Sequence, residues 1–145
     1  MYIVEIAIRG GGAYVTSILI PSAYGVDTQP LLVREALGED TGFYEFDSFA
    51  KKSSAFYSFL LPEGEILSVD GLDSVMSIPG VVKADFKEMK PGDITGPILN
   101  KGSRYGLIVI KGEDRDELDL ILERIKATIN ICVKTKDGVK GAIWE

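Results

Sequence analysis

The 145-residue chain contains no histidine and a single cysteine, Cys132, and each scarcity excludes a class of site. Without histidine, the chain lacks the commonest general base and the commonest zinc ligand. It cannot build a Ser-His-Asp or Cys-His nucleophile system from its own residues. One cysteine cannot form an internal disulfide, which favours a reducing, cytoplasmic compartment. Cys132 lies in an apolar run and is interpreted as inert core rather than as a reactive thiol.

Long apolar runs and clusters of basic residues are also missing. Apolar runs such as "ILI" at 18–20 and "LIVI" at 107–110 fall far short of the roughly 18–20 residues that a membrane helix needs. No basic region followed by an apolar stretch opens the chain, so no signal peptide is predicted. The net charge is −6 and the basic residues are scattered, which argues against nucleic-acid binding. The composition therefore predicts a protein that neither enters a membrane nor binds nucleic acid.

The chain opens with a strand pattern that runs into three glycines, "MYIVEIAIRGGG". Residues 2–9 alternate, so Glu5 and Arg9 share one face and the opposite face is apolar. Two interpretations stay open for this stretch. It is either a solvated edge strand with a flexible turn, or a glycine-rich backbone that cradles phosphate ahead of a helix. The glycines match neither GxGxxG nor the P-loop signature, so no established nucleotide motif is present.

The remaining pattern predicts helices first and strands later. Helices are expected at 13–25, where Pro21 should end or kink the helix, and from Asp27 to Gly38. The polar segment at 39–54 is interpreted as a connection. Beyond it the pattern predicts strands at 55–61, 66–71, 81–89, 105–112 and 129–135, a short helix at 72–80 and a long helix from Asp114. The first two strands should form a hairpin, and the whole predicts an α+β fold with a mostly antiparallel sheet in its second part.

Several segments have both a structural and a functional interpretation. "KPGD" at 90–93 is interpreted as a turn, and Arg104-Tyr105 as a strand entry rather than a substrate contact. The acidic residues between 114 and 119 suit a helix N-terminus better than a metal cluster. The aromatic segment "FYEFDSF" at 43–49 packs locally or meets another domain, and both remain open. The tail after 135 forms a short hairpin or docks through Trp144.

Three pieces near the start, "EIAIRGGG", "AYGVD" and "ALGE", have the order and spacing found at the end of an ATP-grasp domain. The stretch resembles carboxylate–amine ligases and carbamoyl-phosphate synthase-like proteins. Further on, "GLDSVMSIPGVVKADFKEMKPGD" and "SRYGLIVIKGEDRDEL" resemble the C-terminal domain of the L-amino-acid ligase group. The resemblance covers residues 3–134. It implies that a strand and two helices ending an ATP-grasp domain (1–50) precede a C-terminal α+β domain (51–145).

The resemblance also implies a chemistry and a set of site residues. In such ligases ATP and a carboxylate form an acyl phosphate, which an amine or a similar nucleophile then attacks. The implied residues are the metal ligand Glu5, the catalytic phosphoryl or carboxylate contact Arg9, and the cofactor-binding glycines Gly10, Gly11 and Gly12. Ala7 stands where many members carry an asparagine as a second metal ligand, which weakens any two-metal site.

The resemblance further implies that the chain is the C-terminal section of a larger ligase. The family's adenine pocket, phosphate-binding lysines and glycine-rich lid precede the matching segment. A split gene, a start codon assigned too late and a shortened clone all remain open as explanations. Mg2+ and ATP should bind only in an assembled enzyme, and the isolated chain is expected to bind neither and to be inactive alone.

Two partners are predicted: an upstream ATP-grasp half, and a second copy of the chain. The copy would pair as a homodimer near strand 2–9 and near the helices at 13–37. Without the upstream strands of the ATP-grasp sheet, strand 2–9 would be an unpaired edge. The alternative function is a non-catalytic, stand-alone binding or oligomerisation domain derived from such a ligase, with a small-molecule sensor as a weaker third. The sequence does not reveal the acid or the amine substrate.

Overall fold

A computed structural model describes residues 11–41 and 51–145. Within these ranges the chain forms two four-stranded antiparallel sheets, three α-helices and short stretches of π and 3-10 helix. The predicted α+β fold class is confirmed. The predicted strand at 2–9, with Glu5, Arg9 and Gly10, and the aromatic segment at 43–49 lie outside the described residues. In the parts that are described, no helix has the length and apolar character needed to cross a bilayer.

The first helical segment starts as a π-helix, Val15–Leu19, and continues directly as α1, Ile20–Tyr24. The helix does not end at Pro21, so that part of the prediction is wrong, whereas a kink there stays a prediction. Pro21 lies in the first turn of α1, a position that tolerates proline, and the wider π turn precedes it. Gly25, at φ 70°, ends α1 as predicted.

Helix α2, Thr28–Ala36, begins as the sequence predicts. The carboxylate of Asp27 accepts a hydrogen bond from the N–H of Gln29 at 3.1 Å. Leu31 of this helix is half-buried, but the other large apolar residues in it and directly after it are mostly exposed. Leu32, Val33 and Leu37 are 50%, 60% and 72% exposed. Helix α2 therefore adds little to the core and presents an apolar surface.

The strands divide between two sheets. The first has the order β3-β5-β1-β8 and consists of β1 (Ser53–Leu60), β3 (Val81–Phe86), β5 (Arg104–Gly112) and β8 (Ile143–Trp144). The second has the order β4-β2-β6-β7 and consists of β2 (Gly64–Asp70), β4 (Ile94–Thr95), β6 (Asn130–Thr135) and β7 (Gly138–Lys140). Short 3-10 helices at Leu72–Ser77 and Lys101–Ser103 connect them.

The predicted hairpin between the strands at 55–61 and 66–71 is wrong. Strand β1 pairs with β5 along its full length, whereas β2 pairs with β4 and β6 in the other sheet. The physical reason is the shared core, because Phe59, Leu61 and Ile66 all pack into it. The connection after β1 carries the chain across that core to the opposite sheet instead of folding it back on itself.

Helix α3, Arg115–Thr128, packs its apolar side into the core that the two sheets share. Asp114 accepts a hydrogen bond from the N–H of Glu117 at 2.9 Å, as the predicted cap requires. The carboxylate of Glu117 accepts in return from the N–H of Glu113, one residue earlier than in the standard capping box. The predicted apolar stripe supplies the buried residues Leu118, Ile121, Ile125 and Ile129. Cys132, predicted to lie in the core, is only half-buried.

The tail uses both predicted alternatives. Strands β6 and β7 form a hairpin, and β8 pairs with β1 so that the Trp144 ring lies 5.3 Å from the ring of Phe59.

The outer face of the first sheet carries the N-terminal helical segment. The N–H of Lys52 donates to the carbonyl of Ala23 at 2.8 Å, and the Ser54 hydroxyl donates to the carbonyl of Leu19 at 3.0 Å. These bonds connect residues on the two sides of the predicted domain boundary at 50, a division that stays a prediction. The glycine-rich turn, as we call residues 11–14 before the helix, reaches β3 through a hydrogen bond from the Tyr14 hydroxyl to Asp85.

Candidate functional site

Gly11 and Gly12 are the predicted site glycines that the structure describes, and both are exposed. The N–H of Gly11 donates to the Thr16 hydroxyl at 2.8 Å, and a Cβ at this position would lie 2.9 Å from the Cβ of Val15. Glycine is therefore needed at 11 for packing. A Cβ on Gly12 would meet no described atom within 4 Å. Gly12 is thus the more open of the two positions.

The two residues after the glycines have unusual backbone conformations. Ala13 and Tyr14 lie in the left-handed region, at φ 51° and 63°. Residues other than glycine rarely adopt this conformation, which costs on the order of 1–2 kcal/mol per residue. Such a conformation persists only where surrounding contacts determine it. At Tyr14 that contact is a hydrogen bond from the phenol to Asp85 on β3, 71 residues further along the chain.

Tyr14, Asp85 and Lys83 form one small polar cluster on the outer face of the first sheet. The ammonium of Lys83 lies 2.8 Å from the second carboxylate oxygen of Asp85 and 5.8 Å from the centre of the Tyr14 ring. Hydrogen bonds from Lys83 and Tyr14 lower the pKa of Asp85. The hydrogen bond to Asp85 raises the pKa of Tyr14 and that of Lys83. At neutral pH the cluster therefore holds Asp85 ionised and Lys83 charged. A carboxylate with a lowered pKa is a weak general base, so the cluster is better suited to holding the turn against β3, and we call it the clamp.

A cavity of about 340 Å³ lies beside this cluster and reaches from the glycine-rich turn to the ends of β3 and β5. Its lining residues are Ala13, Asp85, Phe86, Lys87, Lys101, Gly102, Arg104, Tyr105, Gly106 and Leu107. Three of them are cationic and one is a carboxylate. The basic pocket, as we call this cavity, is therefore net positive in a chain whose net charge is −6.

Two cations of the basic pocket, Arg104 and Lys87, are held in different ways. The Nε of Arg104 lies 3.1 Å from a carboxylate oxygen of Glu145, and its guanidinium lies 5.6 Å from the centre of the Phe56 ring. The ammonium of Lys87 donates to the carbonyl of Gly102 at 2.7 Å and lies 5.2 Å from the centre of the Tyr105 ring. Among the described residues, no carboxylate lies within ion-pair distance of Lys87 or Lys101.

Two other cavities are larger, but their charges balance. One, of about 420 Å³, lies between α1 and the start of α3 and contains the ion pair of Lys52 with Glu113 together with Lys111 and Glu117. The other, of about 460 Å³, lies at the β6–β7 turn. Its charged residues are Glu63, Lys136, Asp137 and Lys140. Neither of these two cavities is lined by a residue of the glycine-rich turn or has a net charge. The basic pocket has both features, through Ala13 and its three cations, and we therefore take it as the candidate site although it is smaller.

Sequence reasoning located only part of this site. Arg104 and Tyr105 enter strand β5 as predicted, and they also line the basic pocket. Lys87 and Lys101 were not singled out by any pattern, because a strand end and a loop separate them in sequence and only the fold brings them together. The predicted roles of Glu5, Arg9 and Gly10 concern residues outside those described. Those of Gly11 and Gly12 stay predictions.

Removing the Tyr14 hydroxyl should loosen the glycine-rich turn. In Tyr14→Phe we expect the hydrogen-bonded amides of Gly11 and Val15 to exchange with solvent about fivefold faster, the equivalent of one ordinary hydrogen bond. The measurement is hydrogen exchange by NMR, with Tyr57→Phe as the control because the Tyr57 hydroxyl does not contact Asp85. Equal exchange rates in Tyr14→Phe and the wild type would show that the clamp does not hold the turn.

Acid should have the same effect as this substitution. The pKa of Asp85 is lowered in the folded protein. The stabilisation that ionised Asp85 gives to the turn is therefore fully present above the ordinary aspartate pKa, and it is lost as the pH falls through the lower folded value. Exchange of the Gly11 and Val15 amides, corrected for its intrinsic pH dependence, should therefore rise at acid pH in the wild type and change less in Tyr14→Phe.

Comparisons with known proteins show which family and which solved structures this chain resembles. Residues 58–134 match the family model described as L-amino acid ligase C-terminal domain 2. A comparison with curated proteins finds no match. The solved L-amino acid ligase from Bacillus licheniformis superposes with a TM-score of 0.71 at 20% identity, over 92% of this chain and 33% of that one.

A second solved structure is also similar. It is a phosphoribosylglycinamide synthetase from Anaerococcus prevotii, with a TM-score of 0.62 at 18% identity, over 81% of this chain and 30% of that one. The chain thus spans about a third of the length of each of these two proteins. At such identities the likeness to both structures is one of fold.

Proposed function

The chain belongs to the L-amino acid ligase C-terminal domain 2 family, and from this premise we propose that it works as the C-terminal section of an ATP-dependent ligase. Its origin among ATP-grasp ligases, predicted from sequence resemblance, is confirmed. In the proposed reaction a carboxylate is activated as an acyl phosphate, which an amine or a similar nucleophile attacks. The observation that carries the proposal is the family match over 58–134, extended by a superposition that covers 92% of the chain.

The proposal assigns the chemistry to the glycine-rich turn and to the residues before it. Glu5 would bind Mg2+ and Arg9 would contact the phosphoryl group or the carboxylate, while Gly10, Gly11 and Gly12 would approach the cofactor. Among the described residues no group of three potential ligands could hold a metal ion. In this proposal Mg2+ and ATP bind in an assembly that includes the ATP-grasp region of the ligase, from the same polypeptide or from an upstream half.

One observation favours a second candidate function, a non-catalytic binding or oligomerisation domain. The apolar residues Leu32 and Val33 of α2, and Leu37 directly after it, are exposed and form a surface that another molecule could cover. A second copy of the chain, associating as a homodimer around residues 2–37, is the simplest occupant.

Reconstitution distinguishes the two functions. The DNA upstream of the codon for Met1 is examined for an ATP-grasp half, which is produced separately and mixed with the 145-residue chain. The ligase proposal predicts amine-dependent release of phosphate from ATP by the mixture and by neither part alone. It also predicts no micromolar binding of Mg-ATP to the isolated chain in calorimetry.

The second function predicts a different pair of results. The mixture would then be inactive, and the chain would be a dimer by light scattering at about 100 μM that dissociates in Leu37→Ser. Micromolar binding of ATP to the isolated chain would contradict the first proposal directly.

A further inference from the structure

We propose that the basic pocket is a binding site for the anionic group of a small organic molecule, a carboxylate or a phosphate, held chiefly by Lys87 and Lys101. This inference does not depend on the proposed ligase function. It concerns a site built by β3, β5 and the loop before β5, and it can be tested on the purified chain without any measurement of ligation.

The first argument is the distribution of charge. In a chain of net charge −6, two lysines without carboxylate partners among the described residues line one cavity with Arg104. Like charges in one cavity repel each other, and a bound anion removes that cost. The one carboxylate of the pocket, Asp85, does not neutralise them, because Lys83 and Tyr14 already occupy both of its oxygens.

The second argument is that two of the three cations, Lys87 and Arg104, are held in place. The ammonium of Lys87 is fixed by the carbonyl of Gly102 and by the face of the Tyr105 ring, which leaves two of its three N–H donors for a ligand. Arg104 is fixed through Nε by Glu145, and its guanidinium has further N–H donors. Donors fixed in advance lose less conformational entropy when they bind an anion.

The third argument is the shape and polarity of the pocket. Its volume of about 340 Å³ is at the lower end of the range for small-molecule sites. Phe86, Tyr105 and Leu107 contribute apolar surface beside the cations. The pocket therefore fits a ligand with one anionic end and a short organic part, which binds more tightly than the anion alone.

The test is NMR titration of the full 145-residue chain with three salts at equal ionic strength: sodium phosphate, sodium butyrate and sodium chloride. We expect phosphate, butyrate or both to shift the amide signals of Ala13, Lys87 and Gly102, with a dissociation constant on the order of 1–10 mM. Chloride should not. The comparison of the phosphate and butyrate arms identifies the anionic group. Binding that weakens with added salt would support the electrostatic origin.

A matched pair of double variants completes the test. Lys87→Ala with Lys101→Ala should weaken binding by about tenfold or more, because two charged contacts are lost. Lys136→Ala with Lys140→Ala removes the same charge from the cavity at the β6–β7 turn and should leave binding unchanged. The proposal is overturned if neither anion shifts the pocket signals of the wild type, or if both double variants weaken binding equally.

Discussion

Replacing Glu5 by glutamine is expected to lower ATP-dependent ligation by the reconstituted enzyme by about 100-fold or more. In the proposed function Glu5 binds the Mg2+ that neutralises charge on the transferred phosphoryl group. Glutamine keeps the size of the side chain but removes its negative charge, so the metal is held less tightly and the transition state loses stabilisation. The measurement is the turnover number at saturating ATP over a series of Mg2+ concentrations.

The controls separate loss of the metal from loss of the fold. Glu63→Gln removes the same charge from an exposed glutamate between β1 and β2, and it should retain full activity. Raising the Mg2+ concentration should partly restore activity in Glu5→Gln, because a weakened site is then filled by mass action. Turnover within about threefold of the wild type at every Mg2+ concentration would remove Glu5 from the site.

Features encoded by neighbouring residues could be predicted from the sequence. Helix α3 is the clearest case, because its capping residue Asp114 and its apolar stripe are all local signals. Strand β5 was equally readable as an apolar run between turn residues. The α+β class followed from the succession of these elements, and the family from the order and spacing of several short stretches taken together.

Strand pairing could not be predicted in the same way. Alternation identified strands near 55–61 and 66–71 but did not identify their partners, and short separation favoured a hairpin that does not form. The observed partner of β1 is β5. Ser53 of β1 lies opposite Gly112 of β5, and Tyr57 lies opposite Ile108. That choice depends on which arrangement buries Phe59 and Ile66 in one core, a property of the whole fold rather than of any segment.

The candidate site was the least predictable feature for the same reason. Tyr14 and Asp85 are 71 residues apart, and their contact depends on the helical segment lying across the first sheet. Lys87 and Lys101 become neighbours only because β3 and β5 are adjacent. The sequence could show the glycine-rich turn, but not the cations beside it.

The pairing of β1 with β5 leads to the second large expected effect, in Gly106→Ala. Gly106 lies opposite Phe59, and a Cβ at this position would be only 2.1 Å from the Phe59 ring. The ring cannot move aside easily, because Phe59 is fully buried and lies 5.3 Å from the Trp144 ring and 6.0 Å from that of Phe86, measured between ring centres. Either the ring leaves its position or the two strands separate.

We expect Gly106→Ala to lower the free energy of unfolding by about 3 kcal/mol or more, at the upper end of the cost of overpacking. The measurement is urea denaturation followed by the fluorescence of Trp144, which reports on this cluster directly. Gly96→Ala is the control, because a Cβ there meets no described atom within 4 Å and should leave the midpoint nearly unchanged.

A second substitution tests the cause of that loss. If the Phe59 ring is the obstacle, Phe59→Leu should cost less stability in the Gly106→Ala background than in the wild type, since the smaller side chain leaves room for the new methyl group. Strictly additive losses would mean that the alanine acts through the backbone of β5 and not through the ring. Loss of stability in Gly106→Ala no greater than in Gly96→Ala would contradict the packing of β5 against Phe59 on which the first sheet depends.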